Sequence, residues 1–315
     1  MKVGVIGTGN MGENHVRTYL SMPDACQLIG IYDNDKKRSN HIAKKYNVKP
    51  FQSVDELLQT VDAVSIAVPT EFHYEVGLAC IRRNVHMLME KPITSTIAQA
   101  KDLLHKASKA GVKLQMGHIE LFNPFIQYLR KELEHEKIVG VIFKRLSPGD
   151  EKMKQVDVVK DLMIHDLYIL HALLQDNTFE FYALGEVNEN TPKHAVVITK
   201  SSQGVTAQLT ASFKSKKKLR DIQILTENAF IEADILNRKI KITRPFIEHT
   251  NNIPVPVTHT IKIDPSLQPL SVELLDFIQC AKSKAEPSVS GEEGLKALIL
   301  SNEVSEHIRN QNNNG

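Results

Sequence analysis

A short apolar run ending in three spaced glycines constrains this chain more than any other feature. Residues 3–6 read as a buried parallel strand, and the strand runs straight into Gly7-x-Gly9-x-x-Gly12. A helical pattern follows. In that setting Gly7 permits the tight turn, Gly9 lets the backbone approach a pyrophosphate, and Gly12 lets the helix pack on the strand. Asn10 and Met11 open the helix, whose N-terminus offers free N–H groups and partial positive charge to phosphates. Glycine-rich turns are common, so context decides. The context here is a strand before, a helix after, and an acidic residue about twenty positions on.

That residue is Asp33, at the end of a second apolar run, residues 27–32. A carboxylate there accepts hydrogen bonds from the adenosine ribose hydroxyls and repels a 2′-phosphate, which favours NAD over NADP. Taken alone, Asp33 reads as a turn residue in Asp33-Asn34-Asp35. Lys36, Lys37 and Arg38 leave NADP open, since cations there accept a 2′-phosphate.

With 315 residues, the chain fits two domains better than one. Lys and Arg number 39 against 37 Asp and Glu, a formal charge of +2, which points to neither nucleic acid nor membrane partners. Cys26, Cys80 and Cys280 are far apart, with no CxxC, so neither a disulfide framework nor a zinc site is expected. Met1-Lys2 leads directly into a strand, unlike a signal peptide, and no apolar stretch is long enough to span a bilayer. The expectation is a cytoplasmic protein. The Asn-rich end, residues 310–315, reads as a disordered tail.

Through about residue 117, strands and helices alternate, which implies a doubly wound parallel sheet, an α/β Rossmann domain over residues 1–120. Ligands on such sheets bind beyond the C-terminal strand ends, and three further groups fall there. Pro69 and Thr70 follow the third long strand, where they wall a dinucleotide; Thr70 also reads as an N-cap. His73 is either part of that wall or solvated on the next helix. Glu90-Lys91-Pro92 follows the next strand, where Lys91 is a presented cation able to polarise a substrate oxygen, or a surface lysine. Gly117-His118-Ile119-Glu120-Leu121-Phe122-Asn123-Pro124 follows the last strand. His118, Glu120 and Asn123 are candidate substrate contacts, and Asn123 reads equally well as a helix cap.

These features, with a later Asp161-x-x-x-His165, resemble the glucose–fructose oxidoreductase/inositol dehydrogenase (Gfo/Idh/MocA) family. The resemblance implies an NAD(P)-dependent dehydrogenase acting on a CH–OH group of a sugar, cyclitol or nucleotide sugar. It implies Lys91, Glu90 and His73 near the cofactor. It also implies an α+β C-terminal domain with a large open antiparallel sheet, used for dimer or tetramer contacts. The Gly-His-x-Glu-x-Phe-Asn-Pro variant is most similar to members that act on UDP-N-acetylglucosamine at the 3-position.

Beyond residue 136 the pattern changes, and residues 121–309 read as a substrate-binding and oligomerisation domain. A helix is expected over 155–175, where Asp161 and His165, four apart, share a face. Under the resemblance, His165 moves the substrate proton, and Asp161 orients it or contacts the substrate. Otherwise the two read as an exposed ion pair or two metal ligands; no further ligands stand out, so no metal is expected. Tyr168 and His171 continue near that face. Successive strands follow at 181–187, 194–200, 205–213, 221–225, 230–235, 239–243 and 258–263, which means an antiparallel sheet. The basic run 214–220 reads as a solvated loop or charged strand edge, or as a cradle for a substrate diphosphate. Two helices end the chain. A free cyclitol or aldose is the alternative substrate class, and a non-catalytic NAD-binding redox sensor is the alternative function.

Overall fold

The structure is a computed structural model, and it describes residues 1–176, 179–247, 254–266 and 268–313. The chain divides into two compact units, Met1–Asn123 with Gln268–Ile299, and Pro124–Leu267 with Leu300–Gly315. In the first unit β1 (Lys2–Ile6), α1 (Asn10–Leu20), β2 (Gln27–Tyr32), α2 (Lys36–Tyr46), β3 (Lys49–Pro50), α3 (Val54–Leu58), β4 (Ala63–Ile66), α4 (His73–Arg82), β5 (His86–Glu90), α5 (Ile97–Ala110) and β6 (Leu114–Gly117) alternate. Among the described residues, six strands pair in parallel in the order β3-β2-β1-β4-β5-β6. The strands carry apolar residues on both faces because helices cover both: Val3, Val5, Ile6, Val64, Ile66, Met87, Leu88 and Met89 are all buried. Strand order reverses between β1 and β4, so the crevice beyond their C-terminal ends is the ligand site this topology dictates.

The second unit begins with α6 (Pro124–Leu133) and β7 (Ile138–Pro148). A π-turn (Val159–Met163) leads into α7 (Ile164–Leu174). Then come β8 (Phe179–Asn188), β9 (Thr191–Ser201), β10 (Thr206–Ser212), β11 (Lys214–Thr226), β12 (Phe230–Asp234), β13 (Lys239–Ile247) and β14 (Pro254–Lys262). Eight strands among the described residues form one sheet in the order β14-β13-β12-β11-β7-β10-β9-β8. The pairing is antiparallel except between β7 and β10, which run parallel. Ala183, Val197, Leu209, Phe143, Ile222, Ala233 and Ile240 form a cross-strand row on the buried face. The next row, through Tyr182, Ile198, Gln208, Ile142 and Gln223, faces the other way.

The basic run lies within β11, not in a loop. Pairing with β7 jumps from Lys214↔Pro148 to Leu219↔Leu146, so the residues between bulge out of the ladder. Lys216, Lys217 and Lys218 are exposed there. Lys214 pairs with Glu186 at 2.8 Å, and Arg220 donates to the carbonyls of Leu146 and Leu219.

The chain closes with α8 (Pro269–Lys282) and α9 (Gly291–Asn313). Here the structure differs from the boundary drawn at residue 121: α8 and the first part of α9 belong to the first unit. The reason is the apolar outer face of α1, where Val16 and Tyr19 share a core with Leu270, Leu274, Phe277 and Ile278 of α8. The start of α9 fits only because Gly291 and Gly294 lack side chains; a Cβ there would lie 2.3 Å from Leu104 and 2.6 Å from Met116. The expected tail is also corrected. Helix α9 runs on to Asn313, with Ile308 against Gly185 and Asn312 donating to the Gly185 carbonyl at 3.1 Å. No helix among the described residues is long and apolar enough to cross a membrane.

Helix α8 also buries Glu273 completely. Burial, and then the nearby carboxylates Glu90 and Asp276, push its pKa well up. Above the unfolded pKa the folded chain therefore holds a proton that the unfolded chain releases, and stability falls as pH rises towards the folded value. Glu273→Gln is expected to flatten the fall in melting temperature between pH 5 and 8, since one such proton contributes at most about 1.4 kcal/mol per pH unit. An equally steep fall in the variant would refute this.

Candidate functional site

The glycine turn forms one wall of a cleft of about 500 Å³ lined by Gly7, Gly9, Asp33, Arg38, Pro69 and Phe72, among others. Gly7 has φ +89°, and a Cβ on it would lie 2.5 Å from the Ala67 carbonyl. A Cβ on Gly12 would overlap the Gly7 carbonyl. Gly9 differs, since a Cβ there would point into open space. The turn is thus closed behind by Gly7 and Gly12, and open in front at Gly9. Helix α1 starts immediately after it, with Asn10 and Met11 in its first turn and no side chain capping the end. Its first N–H groups remain available to an anion. The residues present fit the diphosphate of a dinucleotide.

Asp33 is buried, and its carboxylate organises the turn. Oδ2 accepts from the Thr8 N–H at 2.7 Å and the Thr8 hydroxyl at 2.8 Å, and Oδ1 accepts from the Asp35 N–H at 2.9 Å. Asp33 therefore starts a turn and also lines the cleft. Half-exposed Arg38 stands 3.8 Å from Oδ2. Thr8 was hidden in the sequence as the x between two glycines.

Pro69 and Phe72 line the same cleft. Thr70 opens a 3-10 turn, Thr70–Phe72, and is not the cap of α4, whose cap position is Phe72. His73 is a correction. It is buried, not solvated, and does not line the cleft. Its ring nitrogens face two backbone carbonyls, Nδ1 to Pro92 at 2.9 Å and Nε2 to Val68 at 3.0 Å. Burial pushes its pKa down.

Glu90 also turns inward, 3.1 Å from His15 Nε2, where it holds the loop rather than facing the cleft. Lys91 follows, partly buried, at the C-terminal end of β5, and its peptide bond to Pro92 is cis. His118, after β6, is buried and its pKa is pushed down to about 3 by that burial, with Lys91 adding to the shift and Glu293 opposing it. It is a neutral imidazole in the neighbourhood of Lys91. Glu120 accepts from the Asn123 amide at 3.0 Å, so the two act as one polar unit just after the sheet.

In the second unit, Asp161 lies inside the π-turn, whose end is marked by Ile164 N–H bonding back to the Val159 carbonyl. π-turns within helices recur at functional sites. Asp157 holds its start, accepting from the Val159 N–H at 2.9 Å and from the Ser305 hydroxyl. His165 follows in the first turn of α7, with Nδ1 2.6 Å from the Tyr168 hydroxyl. Asp161 and His165 are both partly buried, while Tyr168 is buried. Next to His165, Asp166 pairs with Arg145 of β7 at 2.7 Å in full burial. That pair was invisible in the sequence, because its members are twenty-one residues apart on different elements. His171 is spent on the Asp176 carbonyl at 2.7 Å. Among the described residues, no three His, Cys, Asp or Glu side chains cluster as metal ligands.

The switch-point cleft, the open glycine turn and the buried carboxylate beyond β2 define a dinucleotide-binding Rossmann fold. Residues 1–118 match the model of the oxidoreductase family with an NAD-binding Rossmann fold. UDP-N-acetylglucosamine 3-dehydrogenase of Acidithiobacillus ferrooxidans is 30% identical over 96% of both chains. Its solved structure superimposes with a TM-score of 0.91 at 28% identity, covering 98% of this chain and 97% of that one. Myo-inositol 2-dehydrogenase of Thermotoga maritima is 26% identical over 95% of this chain and 94% of its own. The chain belongs to the Gfo/Idh/MocA family of oxidoreductases, and it is a dehydrogenase.

Proposed function

We propose that this dehydrogenase transfers hydride between NAD and a secondary alcohol of a sugar or nucleotide sugar, with the 3-hydroxyl of UDP-N-acetylglucosamine the first candidate. The observation that carries the reading is the full-length likeness to the Acidithiobacillus enzyme, at 30% identity, in a chain that carries Lys91, Asp161 and His165. Bound in the cleft, NAD supplies the hydride acceptor. Helix α1 holds its diphosphate and Asp33 its adenosine ribose. Lys91 stabilises negative charge developing on the substrate oxygen. His165 takes the hydroxyl proton, and Asp161 orients it or contacts the substrate. His118, Glu120 and Asn123 contact substrate. A redox sensor without turnover would need neither the lysine nor the proton-transfer pair.

The test is nicotinamide reduction with NAD and NADP, offering UDP-N-acetylglucosamine beside myo-inositol and glucose. Turnover of the nucleotide sugar alone supports the reading. Turnover of the free polyol or sugar alone moves the substrate towards that of the Thermotoga relative. Tight NAD binding with no turnover of any alcohol favours the sensor.

The preference for NAD rests on Asp33. Asp33→Ala is expected to raise the NAD KM about 10–100-fold, from the loss of a charge-assisted hydrogen bond, and to bring NADP closer to NAD. An unchanged NAD/NADP ratio would sink the assignment.

The outward face of the sheet exposes Val139, Tyr182, Leu184, Ile198, Leu225 and Phe230. An apolar set of this kind on one face suits burial against another copy of the chain, as a homodimer or homotetramer. Light scattering is expected to show an oligomer that Ile198→Glu dissociates. A monomeric wild-type protein would overturn this.

A further inference from the structure

Two buried histidines bracket Lys91 in the first unit. Fully buried His15, on α1, places Nε2 3.1 Å from Glu90 Oε1 and Nδ1 2.9 Å from the Ser65 hydroxyl. Ser65 in turn lies 2.8 Å from the Tyr19 hydroxyl. One direction satisfies the whole chain: Tyr19 donates to Ser65, Ser65 donates to His15 Nδ1, and His15 Nε2–H donates to the Glu90 carboxylate. The far side of that carboxylate rests on β6, where a Cβ on Gly117 would lie 3.0 Å from Glu90 Cδ. On the other side of Lys91, His73 sits between two carbonyls, with Nδ1 2.9 Å from Pro92 and Nε2 3.0 Å from Val68; a neutral ring has one N–H, which donates to Pro92 in the Nδ1–H tautomer. The residues immediately before and after Lys91 are therefore each tied to a buried imidazole. Neither histidine lines the cleft, so cofactor contact accounts for neither of them.

We propose that His15 and His73 are positioning residues for Lys91. His15 acts through the Glu90 carboxylate and His73, as its Nδ1–H tautomer, through the Pro92 carbonyl, and together they fix the backbone that aims the lysine. His15 also sits on the helix whose N-terminus opens the cleft, so one rigid link joins the phosphate-binding helix to the lysine loop. Holding a charged group to within a fraction of an ångström is where such packing raises the rate. The inference rests on the reading that Lys91 acts on substrate.

The two sites make opposite demands of amide replacements. Glutamine places its NH₂ near the position of Nε2, asparagine near that of Nδ1. His15→Gln keeps the donor to Glu90, and His15→Asn loses it. His73→Asn keeps the donor to Pro92, and His73→Gln loses it. We expect His15→Asn and His73→Gln to lower kcat about 10–100-fold. His15→Gln and His73→Asn keep most of it. Substrate KM and the NAD dissociation constant stay within about threefold in all four. Losses of kcat that merely follow melting temperature, without this reciprocal pattern, would overturn the proposal. Should the buried amides fail to fold, Gly117→Ala decides. It crowds Glu90 without touching either histidine and is expected to lower kcat at unchanged KM, and an unchanged kcat overturns the proposal. Lys91→Met run alongside separates the two failures. If it keeps turnover, the role of Lys91 is wrong; if it alone loses turnover, only the histidine inference is.

Discussion

Lys91→Met lowers kcat about 10²–10³-fold, the usual loss when one preorganised donor to a developing oxyanion is removed. NAD binding survives, because the cleft around Asp33 and the glycine turn does not include the lysine. His165→Gln costs a comparable factor, about 10²–10⁴-fold, as expected for a lost general base. Stopped-flow reduction of the nicotinamide, with cofactor binding measured separately, checks both. Near-normal turnover in either variant removes that residue from the mechanism.

Arg145→Met destabilises the protein by about 3–5 kcal/mol, because it strands the Asp166 carboxylate in a site where both partners are almost fully buried. For a unit of this size that is a drop in melting temperature of about 10 °C. The double replacement Arg145→Met, Asp166→Leu recovers most of the loss, since an apolar pair leaves no charge behind. Asp166 is the neighbour of His165, and Arg145 pins it to β7, so kcat in Arg145→Met falls along with stability. Calorimetry on the single and double variants settles the matter, and a loss below about 1 kcal/mol in the single variant would mean that water reaches the pair.

The cofactor half was legible in the sequence because its signals are local. The glycines, the strand before them and Asp33 lie within one βαβ unit, and each is dictated by steric need: no side chain fits at Gly7 or Gly12. Alternation of elements gave the parallel sheet, and its absence from residue 181 onward gave the second sheet. What escaped was whatever depends on a partner distant along the chain. Asp33 gave no sign that its carboxylate is shared with Thr8. His73 read as part of the dinucleotide wall or as solvated, yet its ring is buried between two carbonyls. Helix α8 looked like part of the C-terminal domain because it follows that domain, but the apolar face of α1 claims it.

The sequence by itself determined the class of fold and marked the glycine turn and Asp33 as the candidate dinucleotide site. Those follow from residue type and short-range spacing, which steric and periodic constraints make readable; the chemistry proposed for Lys91, Asp161 and His165 came from the family resemblance. The tertiary structure alone decided which polar groups are buried and with whom: His15 with Glu90, His73 with Pro92, Tyr168 with His165, Arg145 with Asp166. Burial makes such pairings obligatory, since an unpaired polar group in the interior costs several kcal/mol. The identity of each partner depends on which strands and helices pack side by side, and spacing along the chain does not encode that.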